Sequence, residues 1–421
     1  MSRILLLSLG LAAAVSAQAQ KKTLSVACGA VGTEYEMCKS AADAWSKTSG
    51  VAVKLVSTPN DTNEKLSLFQ QLLAAHSPDI DVFLIDIVWP GVLGQHFEDL
   101  STFVPATERA AFFDNLIANN TVAGRLVALP MYVDTGVVYY RSDLLKKYAL
   151  QVPTTWEDLS AAAKTIQDGE RKANSKFTGF VFQGKAYEGL TCNTLEWTGS
   201  FGGTAFVDAS GKVVANTPEN IAAMKLIATW IGGIAPKGVL NYAEEEARGV
   251  FQSGGAAFMR NWPYAWNLLN SKGSPVAAKV GVMATPKGGA SGKHSPVLGG
   301  WQLAVSKYSK NKPEAVSLVR HLSSEAVQRK HFKTYGFFPT LKSVYSDKTL
   351  LGTSPVFSVL ANSLNTAIAR PSRATGTQYN RVSNEIWNTT FSVLSGKEKP
   401  EEALKALDRK LTRVSRGGKW N

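Results

Sequence analysis

Carboxylates, aromatic rings and glycines gather in a few short segments of this sequence. Leu129–Arg141 reads LPMYVDTGVVYYR: an apolar strand approach ends in Tyr132 and Asp134, turns at Gly136 and resumes as a strand over Val137–Tyr140. Gly32–Glu36, GTEYE, puts Glu34 at the entry to a helix, where a carboxylate can accept hydroxyls while leaning on backbone N–H groups or simply cap the helix. Leu84–Pro90, LIDIVWP, interrupts an apolar strand with Asp86, a charge that needs a partner. Arg260–Trp266, RNWPYAW, sets Trp262, Tyr264 and Trp266 at a strand-to-helix turn, and core packing suits Trp266 best. Leu298–Trp301, LGGW, pairs Gly299 and Gly300, which let a backbone come close to a ligand, with Trp301 opening the next strand. Arg370, before Pro371, offers a planar fork for vicinal hydroxyls or a carboxylate. Ring faces cover the C–H faces of sugar rings while Trp N–H, Tyr O–H and carboxylates reach the hydroxyls. The combination points to gripping and releasing a polyhydroxylated ligand.

Other chemistries lack their residues. There is no P-loop, no Gly-x-Ser-x-Gly and no metal-ligand pair of useful spacing, and His76, His96, His294, His321 and His331 are spread apart. No cofactor and no metal are expected. A secreted glycoside hydrolase is the competing reading, because acids and aromatics line those sites too; it needs two carboxyl groups at a set separation across one bond.

The elements that must position these residues follow from periodicity. Strands are expected at Leu24–Ala27, Val51–Val56 and Ile80–Ile85, with helices from Glu34 to Lys47 and over Asp61–Ala75 between them. Such β-α-β-α-β order implies a parallel or mixed sheet, and ligand sites of these folds lie at strand ends. A helix with Ser142 as N-cap is expected after the Asp134 segment, and one over Trp156–Asp168 with Thr155 as N-cap. Further strands are expected at Phe177–Phe182, Ala256–Arg260, Val280–Ala284 and Gln302–Val305, and residues 357–411 read as mostly helical. The strand-rich zones fall into two α/β sets, and the chain returns to the first set late. That pattern suggests two lobes joined by more than one crossover.

The 421 residues suffice for two or three domains. Met1–Arg3 followed by the apolar run Ile4–Val15 and Ala17-Gln18-Ala19 fits a leader cleaved near Ala19, giving a soluble periplasmic protein without a lipid anchor. Net charge is +13, but Lys and Arg are scattered without a dense run, so it reads mainly as solvated surface, with docking on an acidic partner or surface the alternative, and export speaks against a nucleic-acid partner. Of three cysteines, Cys28 and Cys38 flank a short loop and form the natural pair, with Cys192 free; three buried thiols is the alternative. A bridge there contributes about 2–3 kcal/mol in the chain-entropy model and stiffens the Glu34 loop.

Taken in order, the segments at Asp81–Asp86, Leu129–Arg141, Phe182–Gly189, Arg260–Trp266 and Leu298–Trp301 make the chain resemble the extracellular solute-binding proteins of ABC sugar importers, nearest the trehalose/maltose-binding branch. The resemblance implies an α/β, two-lobed periplasmic-binding-protein fold of the maltose-binding type, with the ligand in the cleft. It implies acids Glu34, Asp86 and Asp134 with Tyr132 on one side, Trp262, Tyr264 and Trp301 with Gly299 and Gly300 on the other, and a sugar-bonding Arg370. Where the branch often has an arginine on the second helix this chain has Lys65, which lacks the fork, and Asn60 shares that role. The lobes are expected at 20–135 with 286–338, and at 136–285 with 339–421. The implied role is non-enzymatic: a monomer binds a neutral α-glucoside, a disaccharide or oligosaccharide such as trehalose or maltose, and delivers it to an ABC permease in the membrane. A polyol or an anionic sugar is the alternative ligand, and three acids in the site weigh against the anion.

Overall fold

The structure is a computed structural model and describes residues 22–29, 32–352 and 354–420; the expected leader lies outside them. Two sheets organise it. The first has the order Ala52–Leu55, Thr23–Ala27, Val82–Asp86, Leu298–Val305, Leu129–Thr135; its first three strands are parallel, and Leu298–Val305 runs antiparallel to both neighbours. Val82–Asp86 is buried at every position, as befits a near-continuous apolar run covered on both faces. The second sheet has the order Val280–Ala284, Val137–Arg141, Ala256–Asn261, Thr178–Val181. Each sheet carries its own core.

Local chemistry sets the helices. Asp61 caps Thr62–Ala74 by accepting from the amides of Asn63 and Glu64. Thr155 and Asp158 form a reciprocal capping box at the start of Trp156–Glu170. Ser142 is not the N-cap expected of it. It is the first residue of helix Ser142–Lys147, Arg141 precedes it, and Asp143 is held by a bidentate pair from Arg141, at 2.7 and 2.6 Å. Cys28 and Cys38 are joined, tying the end of the first strand to helix Gly32–Ser49, while Cys192 is a buried free thiol.

Among the described residues the chain passes between lobes three times, and the places differ from the expected boundaries. The first crossing is at Gly136, where Leu129–Thr135 of one sheet gives way to Val137–Arg141 of the other. The second is near Val297 rather than at 285: Lys287 bridges Thr155, and the amides of Gly288 and Lys293 bond to the Ser200 carbonyl, so this stretch lies on the second lobe. The third is near Ile368 rather than at 338, because Val344, Val356, Phe357 and Leu360 are buried in the first core. The helices Tyr379–Leu394 and Pro400–Val414 then pack in the second core. The three strands of the hinge lie side by side: the Gly136 amide donates to Val297 O at 3.3 Å, the Leu298 amide to Ile368 O at 2.9 Å, and the Ile368 amide to Pro296 O at 2.8 Å.

Candidate functional site

Strand register builds the first wall of a cavity of about 250 Å³ between the lobes. Trp301 lies opposite Asp86 on one side and Tyr132 on the other, and Gly299 lies opposite Asp134. The two glycines have separate reasons. A Cβ on Gly299 would fall 2.2 Å from Asp134 Oδ1 and 2.9 Å from the Trp262 ring; Gly300 has φ of 133°, a conformation that favours glycine, and its carbonyl accepts from the Ile87 amide at 3.0 Å. Tyr132 donates to Glu34 Oε1 at 2.6 Å, so the helix-entry carboxylate is held by the adjacent strand. Lys65, nearly fully buried, lies 3.9 Å from Glu34 and 4.4 Å over the Trp301 ring. Asn60 is at the exposed edge.

The second wall comes from the turn after Ala256–Asn261 and the start of helix Glu244–Gln252. Asn261 holds that turn by accepting from the Trp262 amide at 2.8 Å and donating to Glu244 O at 3.0 Å. Tyr139 of the neighbouring strand donates to Trp262 O at 2.9 Å. Trp262 Nε1 donates to Glu244 at 3.3 Å and Tyr264 to Glu245 at 2.5 Å, so both aromatic heads are oriented by acids at one helix entry. Tyr264 stacks at 12° and 6.3 Å on Phe337, which itself tilts against Tyr132. Aromatic contact thereby runs between the lobes at the cleft.

Arg370, on the third crossing, joins the two walls. Its Nη2 donates to Asp86 Oδ1 at 2.6 Å, and its Nη1 donates to Glu188 Oε1 at 2.8 Å and to Asp86 Oδ2 at 3.4 Å. Asp86 also accepts from the Val88 amide, and Glu188 from Tyr379 and from Ser383, the latter at 2.5 Å. Burial pushes the Glu188 carboxyl up, against the pull of Arg370. Asp134 is different: among the described residues no donor bonds it, and burial, then the charge of Asp86, raise its pKa to about 7 against the pull of Arg260 and Arg370.

All twelve residues singled out in the sequence line this one cavity. Arg370, expected as a sugar-bonding arginine, has its two Nη atoms taken up by Asp86 and Glu188, and among the described residues its Nε has no partner. Gly32, Thr33, Glu188 and Gly189 of the lining lie in segments singled out in the sequence without being named for the site, and Thr62, Cys192, Glu244, Glu245, Arg248, Leu268 and Phe337 were missed. Only Glu188 and Glu244–Glu245 carried a signal, as acids opening helices, and that signal has a sufficient explanation in the helix dipole. The complete lining holds six carboxylates, Glu34, Asp86, Asp134, Glu188, Glu244 and Glu245, against three cations, Lys65, Arg248 and Arg370. Such a surface accepts hydrogen bonds, offers ring faces and repels anions.

Comparison with known proteins agrees with this geometry. Residues 32–329 match the family model described as bacterial extracellular solute-binding protein. A probable ABC transporter-binding protein of Deinococcus radiodurans is 48% identical over 415 residues, covering 98% of both chains. The maltose-bound structure of T. maritima MalE3 superposes with a TM-score of 0.87 at 36% identity, covering 93% of this chain and 99% of that one. A Thermotoga lettingae solute-binding protein bound with α-D-tagatose shares the fold, with a TM-score of 0.84 at 23% identity and coverage of 94% and 100%. No helix among the described residues is long and apolar enough to cross a membrane. The two-lobed fold is that of the maltose-binding type, and the chain belongs to the bacterial extracellular solute-binding proteins that serve ABC sugar importers.

Proposed function

We propose that this protein binds a neutral α-linked glucose disaccharide, such as trehalose or maltose, in the cleft and hands it unchanged to the permease of an ABC importer from the periplasmic side. The observation that carries the reading is the cavity lining: aromatic heads oriented by acids on one wall, Trp301 on the other, and an unpartnered Asp134 between them. In this arrangement Trp262 and Trp301 cover the ring faces, Asp134 and Glu34 accept hydroxyls, and Arg370 fixes the Asp86 carboxylate. A cavity of about 250 Å³ is below the usual span of ligand pockets, which favours a disaccharide over a long dextrin. The maltose-bound relative at 36% identity supports the same class. A hydrolase is disfavoured because Asp86 and Glu188 are both committed to Arg370, and Glu244 and Glu245 to aromatic donors.

Calorimetry over trehalose, maltose, maltotriose, mannitol, tagatose and a glucuronide tests it. The two α-glucosides are expected to bind most tightly, the anion not at all, and no monosaccharide is released on incubation. Trp262→Ala and Trp301→Ala are each expected to cost about 1–3 kcal/mol of affinity through lost ring contact while leaving a folded apo protein. Tightest binding of mannitol or tagatose would replace the α-glucoside, and steady turnover abolished by Asp134→Asn would replace binding with hydrolysis.

A further inference from the structure

The positive balance of the chain has no use in an acid-lined cleft, and much of it sits on one face far along the chain. Helix Pro400–Val414 buries Ala403, Leu404, Leu407, Leu411 and Val414 in the second core. The i, i+4 spacing then aligns Lys405, Arg409 and Arg413 on the outer side, all exposed. Arg416 and Lys419, both exposed, follow the helix in a segment that is pinned: Trp420 is buried and its Nε1 donates to Gly211 O at 2.7 Å, while the Gly418 and Lys419 amides bond to Ser415. Between residues 405 and 419 there are six basic side chains and one acid, Asp408, a net +5 of the chain's +13. Lys410 pairs with Glu385, and among the described residues none of the other five cations has an ion pair. Cations in a last helical turn are ordinary complements of the dipole, but Lys405 lies mid-helix and Arg416 and Lys419 lie beyond it. The basic residues look scattered in the sequence; the helix turns that spacing into a stripe.

We propose that this stripe docks the protein on an anionic phospholipid surface, holding it loosely against the membrane that carries its permease. Rows of four or more Lys/Arg at a surface bind acidic headgroups with additive, salt-sensitive strength. Residues 400–414 carry no aromatic ring, and their apolar side chains Leu404, Leu407, Leu411 and Val414 are buried, so the helix itself offers neither a stacking platform for single-stranded nucleic acid nor an apolar anchor for a protein partner. The contact is therefore electrostatic and reversible. Only the nearness of a membrane comes from the family; the cleft is not involved, so sugar binding and lipid docking can fail separately.

The test is flotation of the full-length protein with vesicles of phosphatidylcholine alone or with one-third phosphatidylglycerol, at low and at physiological salt. Wild type is expected to float with the anionic vesicles at low salt, to be released as salt rises, and to ignore neutral vesicles. The triple variant Arg409→Gln/Arg413→Gln/Arg416→Gln is expected to lose about a hundredfold in partitioning. The control Lys54→Gln/Lys172→Gln/Lys272→Gln, which removes the same charge from exposed sites elsewhere, keeps most of it. The charge-preserving Arg→Lys triple binds like wild type, and unchanged thermal unfolding shows that each variant is folded. Equal losses in the two Gln triples, equal binding to neutral vesicles, or no flotation at all would overturn the proposal. So would arginine-dependent capture by the permease in neutral-lipid nanodiscs without vesicle binding, which would mark a protein partner instead.

Discussion

Two buried arginines, Arg260 and Arg370, hold carboxylates in this molecule, and their surroundings give them opposite duties. Arg260 is sealed inside the second lobe. It pairs with Glu196 through Nε at 2.8 Å and Nη2 at 2.5 Å, donates Nη1 to Gln183, and lies 4.1 Å beneath the Trp262 ring; both charged groups have no exposure. Glu196 Oε1 also accepts the Val297 amide at 3.1 Å, and a Cβ on Gly136 would fall 1.8 Å from that oxygen. One sealed pair thus seats the first two crossings and props a cleft aromatic, within a single lobe. Arg370 instead spans the lobes, binding Asp86 of the first and Glu188 of the second at the cleft wall. The same guanidinium–carboxylate chemistry is a foundation where everything lies in one lobe, and a coupler where its partners belong to two.

The largest expected effect breaks the foundation. Arg260→Met leaves Glu196 as an unpaired charge in a dry site, at a cost of about 3–5 kcal/mol in unfolding free energy by denaturant titration. Arg370→Met is expected to destabilise the protein less, because Asp86 keeps the Val88 amide and Glu188 keeps Tyr379 and Ser383 as donors, yet to weaken sugar binding more than Arg260→Lys does. If Arg370→Met unfolds the protein as severely as Arg260→Met, the two nodes are not different in kind.

A middle-sized effect concerns the carboxylate that neither arginine bonds. In the folded, ligand-free state Asp134 has its pKa raised to about 7, from 3.8, with Asp86, Glu34, Arg260 and Arg370 as the charges acting on it. The folded state therefore binds more protons than the unfolded state between roughly pH 4 and 7, and stability from this group is full below that window and lost as pH rises through 7. Asp134→Asn is expected to stabilise the apo protein at pH 8 and to change little near pH 4, measured by scanning calorimetry. Sugar hydroxyls donate to the ionised form, so wild-type affinity is expected to rise from pH 6 to pH 8. Asp134→Asn flattens that profile and costs about 1.5–3 kcal/mol of affinity at pH 8. A wild-type affinity independent of pH across this range would remove Asp134 from the ligand.

This contrast also explains what was legible in the sequence. Asp86, Asp134 and the Gly299-Gly300-Trp301 run break a local pattern, an apolar strand or an ordinary strand opening, so each announces itself without its neighbours. The register of two antiparallel pairings then brings them together. Arg260 and Glu196 are 64 residues apart, and each fits its own element unremarkably until the other is placed beside it. Glu188, Glu244 and Glu245 stand at helix entries, where an acid is expected on electrostatic grounds alone. The lobe boundaries were misplaced for a related reason. Residues from 357 on read as helix that fits either lobe, and only the burial of Val344, Val356, Phe357 and Leu360 against the first core assigns the stretch up to 364.

The smallest effect sharpens the idea of coupling across lobes. At the cleft rim Lys185 of the second lobe donates to Asp61 Oδ2 at 2.6 Å, and the Glu188 amide donates to Asn63 Oδ1 at 3.1 Å. Asp61 uses its other oxygen, Oδ1, to cap the helix that carries Lys65, so the rim contact and the cleft cation share one element. Lys185 is more than a third exposed, and such a pair is worth about 0–1 kcal/mol. Lys185→Gln is therefore expected to leave unfolding unchanged and to raise the sugar dissociation constant by less than about fivefold, mainly by faster release. The difference from wild type should vanish at high salt, because screening removes the same attraction. Asp61→Asn keeps the cap oxygen but loses the charge, and should match Lys185→Gln in stopped-flow release rates. The double variant should then be no faster than either single, since both remove one interaction. Additive rates in the double variant would mean that Lys185 and Asp61 act separately, leaving Arg370 as the coupler between the lobes.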